Sequence, residues 1–208
     1  KLLHIPKLQD IKGVEVVAVA NRTLQSSRKV AKHFGIPEVF ENWEDIIFHD
    51  SIDAVCIGTW PYMHAPMTIA ALEAGKHVLC EARMALNSGE ASEMLEVSRM
   101  NPHLIAQIVP APLSNKFDPT ICQMISDGFI GDLIAVDARI TTGTFLQPNT
   151  TLHWRQDRNL SGNNIMNMGI WYEIIMRWLG PVTSVQALGQ TIVKYRKDES
   201  GKRQACTI

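Results

Sequence analysis

Three short clusters in this 208-residue chain carry residue types that bind and transform small molecules. The first is Asn21-Arg22-Thr23, directly after the Val-rich run VEVVAVA. In a dinucleotide-binding fold this place meets the adenosine ribose. A carboxylate there favours NAD by bonding the 2′-hydroxyl. Here two neutral side chains flank a guanidinium, which can pair bidentately with a 2′-phosphate. The cluster therefore predicts NADP, with NAD as the other cofactor such a fold takes. Its structural alternative is a polar strand end that caps a helix through Thr23. The second cluster is Gly58-Thr59-Trp60-Pro61-Tyr62-Met63-His64. Gly58 permits close backbone approach to a ligand. Trp60 or Tyr62 can stack on a nicotinamide or sugar ring, or close the edge of the core. The third is Glu81-Ala82-Arg83, whose opposite charges either orient a ligand or pair with each other.

These clusters need elements that bring them to one edge. Residues 14–20, 53–58 (DAVCIG), 76–80 (KHVLC) and 104–109 (LIAQIV) read as short apolar strands buried on both faces. Between them lie a helix over 24–34 stopped by Gly35, and a short helix from Trp43 capped by Asn42. A helix over 64–74 ends at Gly75, and another starts at Asn87 or Ser88 and ends near residue 100. Strands alternating with such helices predict α/β architecture, a Rossmann-like doubly wound parallel sheet. Ligands bind such sheets at the carboxyl ends of the strands, where all three clusters stand. No G-x-G-x-x-G occurs in the chain. Residues 1–12 read as the tail of a helix. A preceding strand and glycine-rich turn are therefore expected upstream of Lys1.

The rhythm changes after Pro110-Ala111-Pro112. A helix is expected over 118–127, a strand over 133–142, an apolar helix over 164–179 and a strand over 182–193. The charged run 194–203 reads as a solvated hairpin turn with Ser200-Gly201 at its tip. Residues 1–112 are thus the expected dinucleotide-binding domain. Residues 113–208 are the expected second domain, α+β with an open antiparallel sheet, truncated at Ile208. Trp171 and Trp178 stand seven positions apart on one helical face. Trp178 is expected in the core, and Trp171 either there or against substrate.

Lys plus Arg is 20 and Asp plus Glu is 21, a net charge of -1, which argues against a nucleic-acid partner. No apolar run reaches about 18 residues, so no membrane span is expected. The four cysteines are widely spaced without a Cys-x-x-Cys, which reads as buried reduced thiols in a cytoplasmic protein. The seven histidines show no metal-ligand spacing, so no metal is expected.

Three longer stretches carry a resemblance. They are DAVCIGTWPYMHAPMTIAAL (53–72), AALEAGKHVLCEARMALN (70–87) and WRQDRNLSGNNIMNMGIWYEIIMRWLG (154–180). Together, in order and spacing, they resemble the Gfo/Idh/MocA family, the glucose-fructose oxidoreductase and inositol dehydrogenase family. The resemblance implies a Rossmann domain followed by an α/β domain with an open antiparallel sheet that often mediates oligomerisation. It implies hydride transfer between NAD(P) and a hydroxyl or carbonyl carbon of a sugar, polyol or related molecule. The family's Glu-Lys-Pro reads Glu81-Ala82-Arg83 here. Its later Asp and His read Asn167 and Trp171, and two of its three glycines read Asn163 and Asn164. Indole is not a base and Asn takes no proton as a carboxylate does, so the usual proton-transfer set is absent.

Two readings follow. In the first, a divergent oxidoreductase has moved its catalytic groups. Arg83, Tyr172 and Asn167 are its candidate catalytic residues, with Glu81 and His64 as further candidate bases. Asn21, Arg22, Thr23, Gly58, Thr59, Trp60, His64, Glu81 and Ala82 bind cofactor. Trp154, Arg155, Asn167 and Trp171 bind substrate. The partner is a small sugar or polyol, and the protein forms a homo-oligomer through its second domain's sheet. In the second reading the chain is a redox-inactive dinucleotide-binding sensor or scaffold subunit, or a non-redox sugar-modifying enzyme.

Overall fold

A computed structural model describes residues 4–109, 116–143, 145–163 and 168–207. The chain forms two compact units, Lys1–Val109 and Pro110–Ile208.

The first unit alternates helix and strand. Its order is α1 (His4–Gln9), β1 (Ala18–Ala20), α2 (Leu24–Phe34), β2 (Glu38–Phe40), α3 (Trp43–Ile47), β3 (Ala54–Ile57), α4 (His64–Glu73), β4 (His77–Cys80), α5 (Ser88–Met100) and β5 (Ala106–Ile108). All its ladders are parallel: β1 with β2, and β3–β4–β5 in sequence order. Helix boundaries follow local chemistry. Thr23 is extended and accepts from Ser26 N–H, which starts α2. Gly35, at φ +67°, ends it in the left-handed region that favours glycine. Asn87 caps α5 by accepting from Glu90 N–H at 3.0 Å, and Glu90 returns a carboxylate oxygen to Leu86 N–H at 2.9 Å.

Val55, Ile57, Val78 and Cys80 on the sheet meet Met67, Ala71 and Leu72 of α4 in one core cluster. Leu72, Ile57 and Cys80 are fully buried. Burial of the Leu72 and Ile57 side chains stabilises the fold by about 1.5–3 kcal/mol each. The alternate residues of β3, Ala54 and Cys56, are exposed, so this strand is not buried on both faces. All four cysteines are free thiols, but only Cys80 is fully buried, because Cys56 points away from the α4 side of the sheet. Burial, with the Glu81 charge adding, pushes the Cys80 thiol up to about 11.

The second unit holds α6 (Asp118–Ser126), a 3-10 turn (Trp154–Gln156), α7 (Arg158–Ser161), α8 (Met168–Leu179) and a hairpin of β6 (Tyr195–Lys197) and β7 (Arg203–Ala205). Asp118 of α6 accepts from Arg177 Nη2 at 3.1 Å and from Trp178 Nε1 at 2.8 Å. Trp178 is half-buried there, and Ile174 beside it on α8 is almost wholly buried. The antiparallel ladder among the described residues is β6 with β7. The strands expected over 133–142 and 182–193 are not formed in it. A strand exists only as a pair, and neither segment has a ladder partner among the described residues. Their apolar side chains stay in solvent, Ile134 at 95% and Leu188 at 102% exposure.

The hairpin tip forms where the charged run predicts a turn. Asp198 accepts from Ser200 N–H, Lys202 N–H, Ser200 Oγ–H and Gln204 Nε2–H, which holds its carboxyl down at about 2. The run is not solvated throughout, however. Arg196 is 2% exposed.

Candidate functional site

In the first unit, the three clusters follow β1, β3 and β4 at their carboxyl ends. Asn21 N–H donates to the buried Ser27 hydroxyl at 2.8 Å, which fixes the chain's exit from β1. Thr23 serves as the cap of α2, as its structural alternative predicts. Arg22 is exposed, and its guanidinium carbon lies 5.0 Å from the centre of the Trp60 ring. The loops after β1 and β3 are thereby joined by a cation–π contact. Gly58 has open space where a Cβ would stand. Thr59 turns its hydroxyl toward Met67 Sδ at 3.9 Å and its carbonyl toward His64.

His64 is 1% exposed. Its Nδ1 lies 2.6 Å from the Arg83 carbonyl and its Nε2 lies 3.1 Å from the Thr59 carbonyl. The ring therefore braces the loop after β3 against the loop after β4, and offers neither nitrogen to a ligand. Replacing His64 with leucine removes the ring N–H, which a neutral imidazole donates to one of the two carbonyls, and the polar contact with the other. The expected cost is about 1–3 kcal/mol, read as a fall in Tm of about 5 °C or more for a unit of this size. An unchanged Tm would remove the brace from the account.

Glu81 pairs with His4, with Oε1 2.5 Å from Nε2, and its other oxygen accepts from Ala82 N–H at 3.1 Å. The Ala82–Arg83 peptide is cis. His4 has no signal in the sequence, because the pair joins positions far apart in the chain. A cavity of about 190 Å³ under α4 and α5 is lined by Val78, Met84 and Met94 but by none of these cluster residues, so it reads as a packing gap.

In the second unit, Trp154 and Arg155 form the 3-10 turn. The Arg155 guanidinium carbon sits 4.1 Å from the centre of the Trp154 ring and covers one indole face. A sugar stacking on that face would have to displace it. His153 opens the turn. Its N–H donates to Gln156 Oε1 at 2.9 Å, and its Nδ1 accepts from Arg155 N–H at 3.2 Å. Trp171 and Tyr172 stand exposed on α8, and Trp171 borders an open hollow of about 370 Å³ with Ala138, Arg139, Ile140 and Thr141. Asn167 lies outside the described residues.

Burial first, then the Arg155 charge, lowers the pKa of His153 below the ordinary imidazole value. The folded state thus binds this proton less well than the unfolded chain. The stability from a neutral His153 is complete above the ordinary imidazole range and is lost as pH falls through the lowered folded value. The melting temperature of the His153→Asn variant should therefore fall less than that of the native chain between about pH 7 and about pH 5. Parallel curves would contradict this.

Parallel strands with ligand-facing loops at their carboxyl ends define a Rossmann-type dinucleotide-binding unit, here followed by a second unit with its own hairpin. Residues 2–106 match the oxidoreductase family with the NAD-binding Rossmann fold, and residues 120–204 match the GFO/IDH/MocA C-terminal domain. The chain belongs to the Gfo/Idh/MocA oxidoreductase family. It is 30% identical over 204 residues to levoglucosan dehydrogenase of Pseudarthrobacter phenanthrenivorans, covering 92% of this chain and 49% of that protein. It is 29% identical over 165 residues to glucose-fructose oxidoreductase domain-containing protein 2 of Homo sapiens, covering 76% and 40%. Its fold matches the solved levoglucosan dehydrogenase in complex with NADH and L-sorbose, at TM-score 0.76 and 20% identity, covering 98% of this chain and 56% of that one. The chain thus spans about half the length of these relatives, or less. No helix among the described residues is long and apolar enough to cross a membrane.

Proposed function

We propose that this chain binds NADP(H) and takes part in hydride transfer between that cofactor and a hydroxyl or carbonyl carbon of a sugar or polyol. The observation that carries the cofactor choice is Arg22 held over Trp60, with neutral Asn21 and Thr23 on either side. That donor set fits a 2′-phosphate better than a 2′-hydroxyl. When bound, the cofactor supplies the hydride. Arg22 and Asn21 hold its adenosine end, Trp60 supports Arg22, and Gly58 lets the chain approach closely. Residues 1–112 then serve the cofactor, and 113–208 serve substrate and subunit contacts. Relatives named for levoglucosan and glucose-fructose chemistry support the substrate class. Arg83, Tyr172 and Asn167 are the residues assigned to the reacting centre, with Trp154, Arg155 and Trp171 assigned to the sugar.

The apolar side chains exposed over 133–142 and 182–193 support a homo-oligomer formed through these segments. The four free thiols suit a reducing, cytoplasmic compartment. The deciding experiment is a titration with NADPH and with NADH, followed by quenching of tryptophan fluorescence. Tighter binding of NADPH, then its oxidation by a member of a sugar and polyol panel, is the expected result. A folded sample that binds neither cofactor overturns the reading.

A further inference from the structure

His153 is the one imidazole in the second unit, and nothing in the family pattern quoted above uses it. Its surroundings fix its proton. Nδ1 accepts from Arg155 N–H at 3.2 Å, so in the neutral ring that nitrogen carries no hydrogen and the N–H is at Nε2. The ring is half-buried and tilted against two aromatics, with centroids 5.3 Å from Phe145 and 5.4 Å from Trp154. Its own backbone N–H is fixed on Gln156. Backbone, Nδ1 and both ring neighbours are thus committed, while Nε2–H has no hydrogen-bond partner among the described residues. The Arg155 guanidinium, two residues on, lies over the Trp154 ring at 4.1 Å from its centre.

We propose that His153 is a specificity residue, whose Nε2–H donates to an oxygen of a polyhydroxylated ligand bound beside Trp154 and Arg155. A turn that presents donors selects a ligand rich in oxygen acceptors, and a fixed tautomer gives that selection a direction. This rests on the sugar-acting reading above and names the residue that would read the sugar.

Two variants separate the two nitrogens. His153→Asn keeps an acceptor for Arg155 N–H, and so the start of the turn, but has no group at the place of Nε2–H. His153→Gln reaches that place with an amide N–H and gives up the short-range acceptor. The full chain, with and without NADPH, is titrated calorimetrically with levoglucosan, L-sorbose and myo-inositol. The imidazole nitrogens are followed by NMR. The native chain should bind at least one of these, with the His153 Nε2–H signal moving. His153→Asn should bind it roughly tenfold more weakly at unchanged Tm, the effect of one lost hydrogen bond. His153→Gln should recover affinity to within about threefold, at a lower Tm. Native affinity in His153→Asn, an Nε2–H signal unmoved by a bound sugar, or no binding of any of the three overturns the proposal. Sugar bound through His153 without hydride transfer upholds it and removes the oxidoreductase reading instead.

Discussion

Replacing Arg22 with alanine should weaken NADPH binding roughly 10- to 100-fold and leave NADH binding within about twofold. The expectation follows from where the guanidinium stands. It is exposed, so its charge alone would be well screened and of modest effect. A 2′-phosphate changes this, because a planar fork and a phosphate form two parallel charge-assisted hydrogen bonds. Trp60 holds the fork in place at 5.0 Å, which lowers the ordering cost when the phosphate arrives. Arg22→Lys keeps the charge but not the fork, and should recover only part of the loss. Arg22→Asp should reverse the preference, since a carboxylate accepts from the ribose hydroxyls and repels the phosphate. Fluorescence titrations of the four proteins with both cofactors test this. An alanine variant with undiminished preference for NADPH would place the 2′-phosphate elsewhere.

Much of the first unit was legible because its signals are local. Thr23 and Asn87 at helix starts and Gly35 at a helix end each act within one turn of chain: Gly35 stops α2 as read, Asn87 is the cap of the two offered, and Thr23 caps α2 as its structural alternative had it. The strands over 53–58 and 76–80 were marked by continuous apolar runs, which shorten at their edges to Ala54–Ile57 and His77–Cys80. β2 was not visible, since three residues with one internal valine show no period. In the second unit the apolar alternation over 133–142 was read as a paired strand. The pattern is there in the side chains, but pairing is a property of two segments, and the sequence of one does not supply the other. The site divides the same way. Arg22 was readable as a candidate phosphate-binding group from its position after a strand. That it rests on Trp60 was not, because the contact spans 38 positions and depends on two loops meeting. His64 was read as a cofactor contact. Its spacing from the second strand says where it starts a helix, but not that both ring nitrogens turn inward to carbonyls.

Arg196 departs furthest from its local sequence. It sits in the run KYRKDESGKR, where a solvated side chain is the natural expectation. Instead it is 2% exposed and binds the segment before the Trp154 turn. Its guanidinium donates to the carbonyls of Phe145, Gln147 and Thr150 and to the Thr150 hydroxyl. Leu152 N–H is bonded to Lys197 O at 2.8 Å beside it. One side chain on β6 thereby fixes the run from Phe145 to Thr150, and through it the placement of His153 and Trp154. Replacement by leucine fills much of the volume but takes the Arg196 donor from the carbonyls of Phe145, Gln147 and Thr150, of which Gln147 O still accepts from the Thr150 hydroxyl. Gln147 and Thr150 are exposed, so water replaces part of the lost bonding there. With Phe145 half-buried, a loss of about 1–3 kcal/mol is expected, less whatever the buried charge itself costs the native chain. Lysine has the charge and too few fixed donors, so Arg196→Lys should recover only a minor share. The loss should reach the sugar before it reaches the cofactor. Sugar affinity should fall with Tm, while NADPH affinity, held by the first unit, stays within about twofold. Hydrogen exchange at 145–153, Tm and the two titrations together test this. A leucine variant with native exchange over that segment would show that β6 does not position the Trp154 turn.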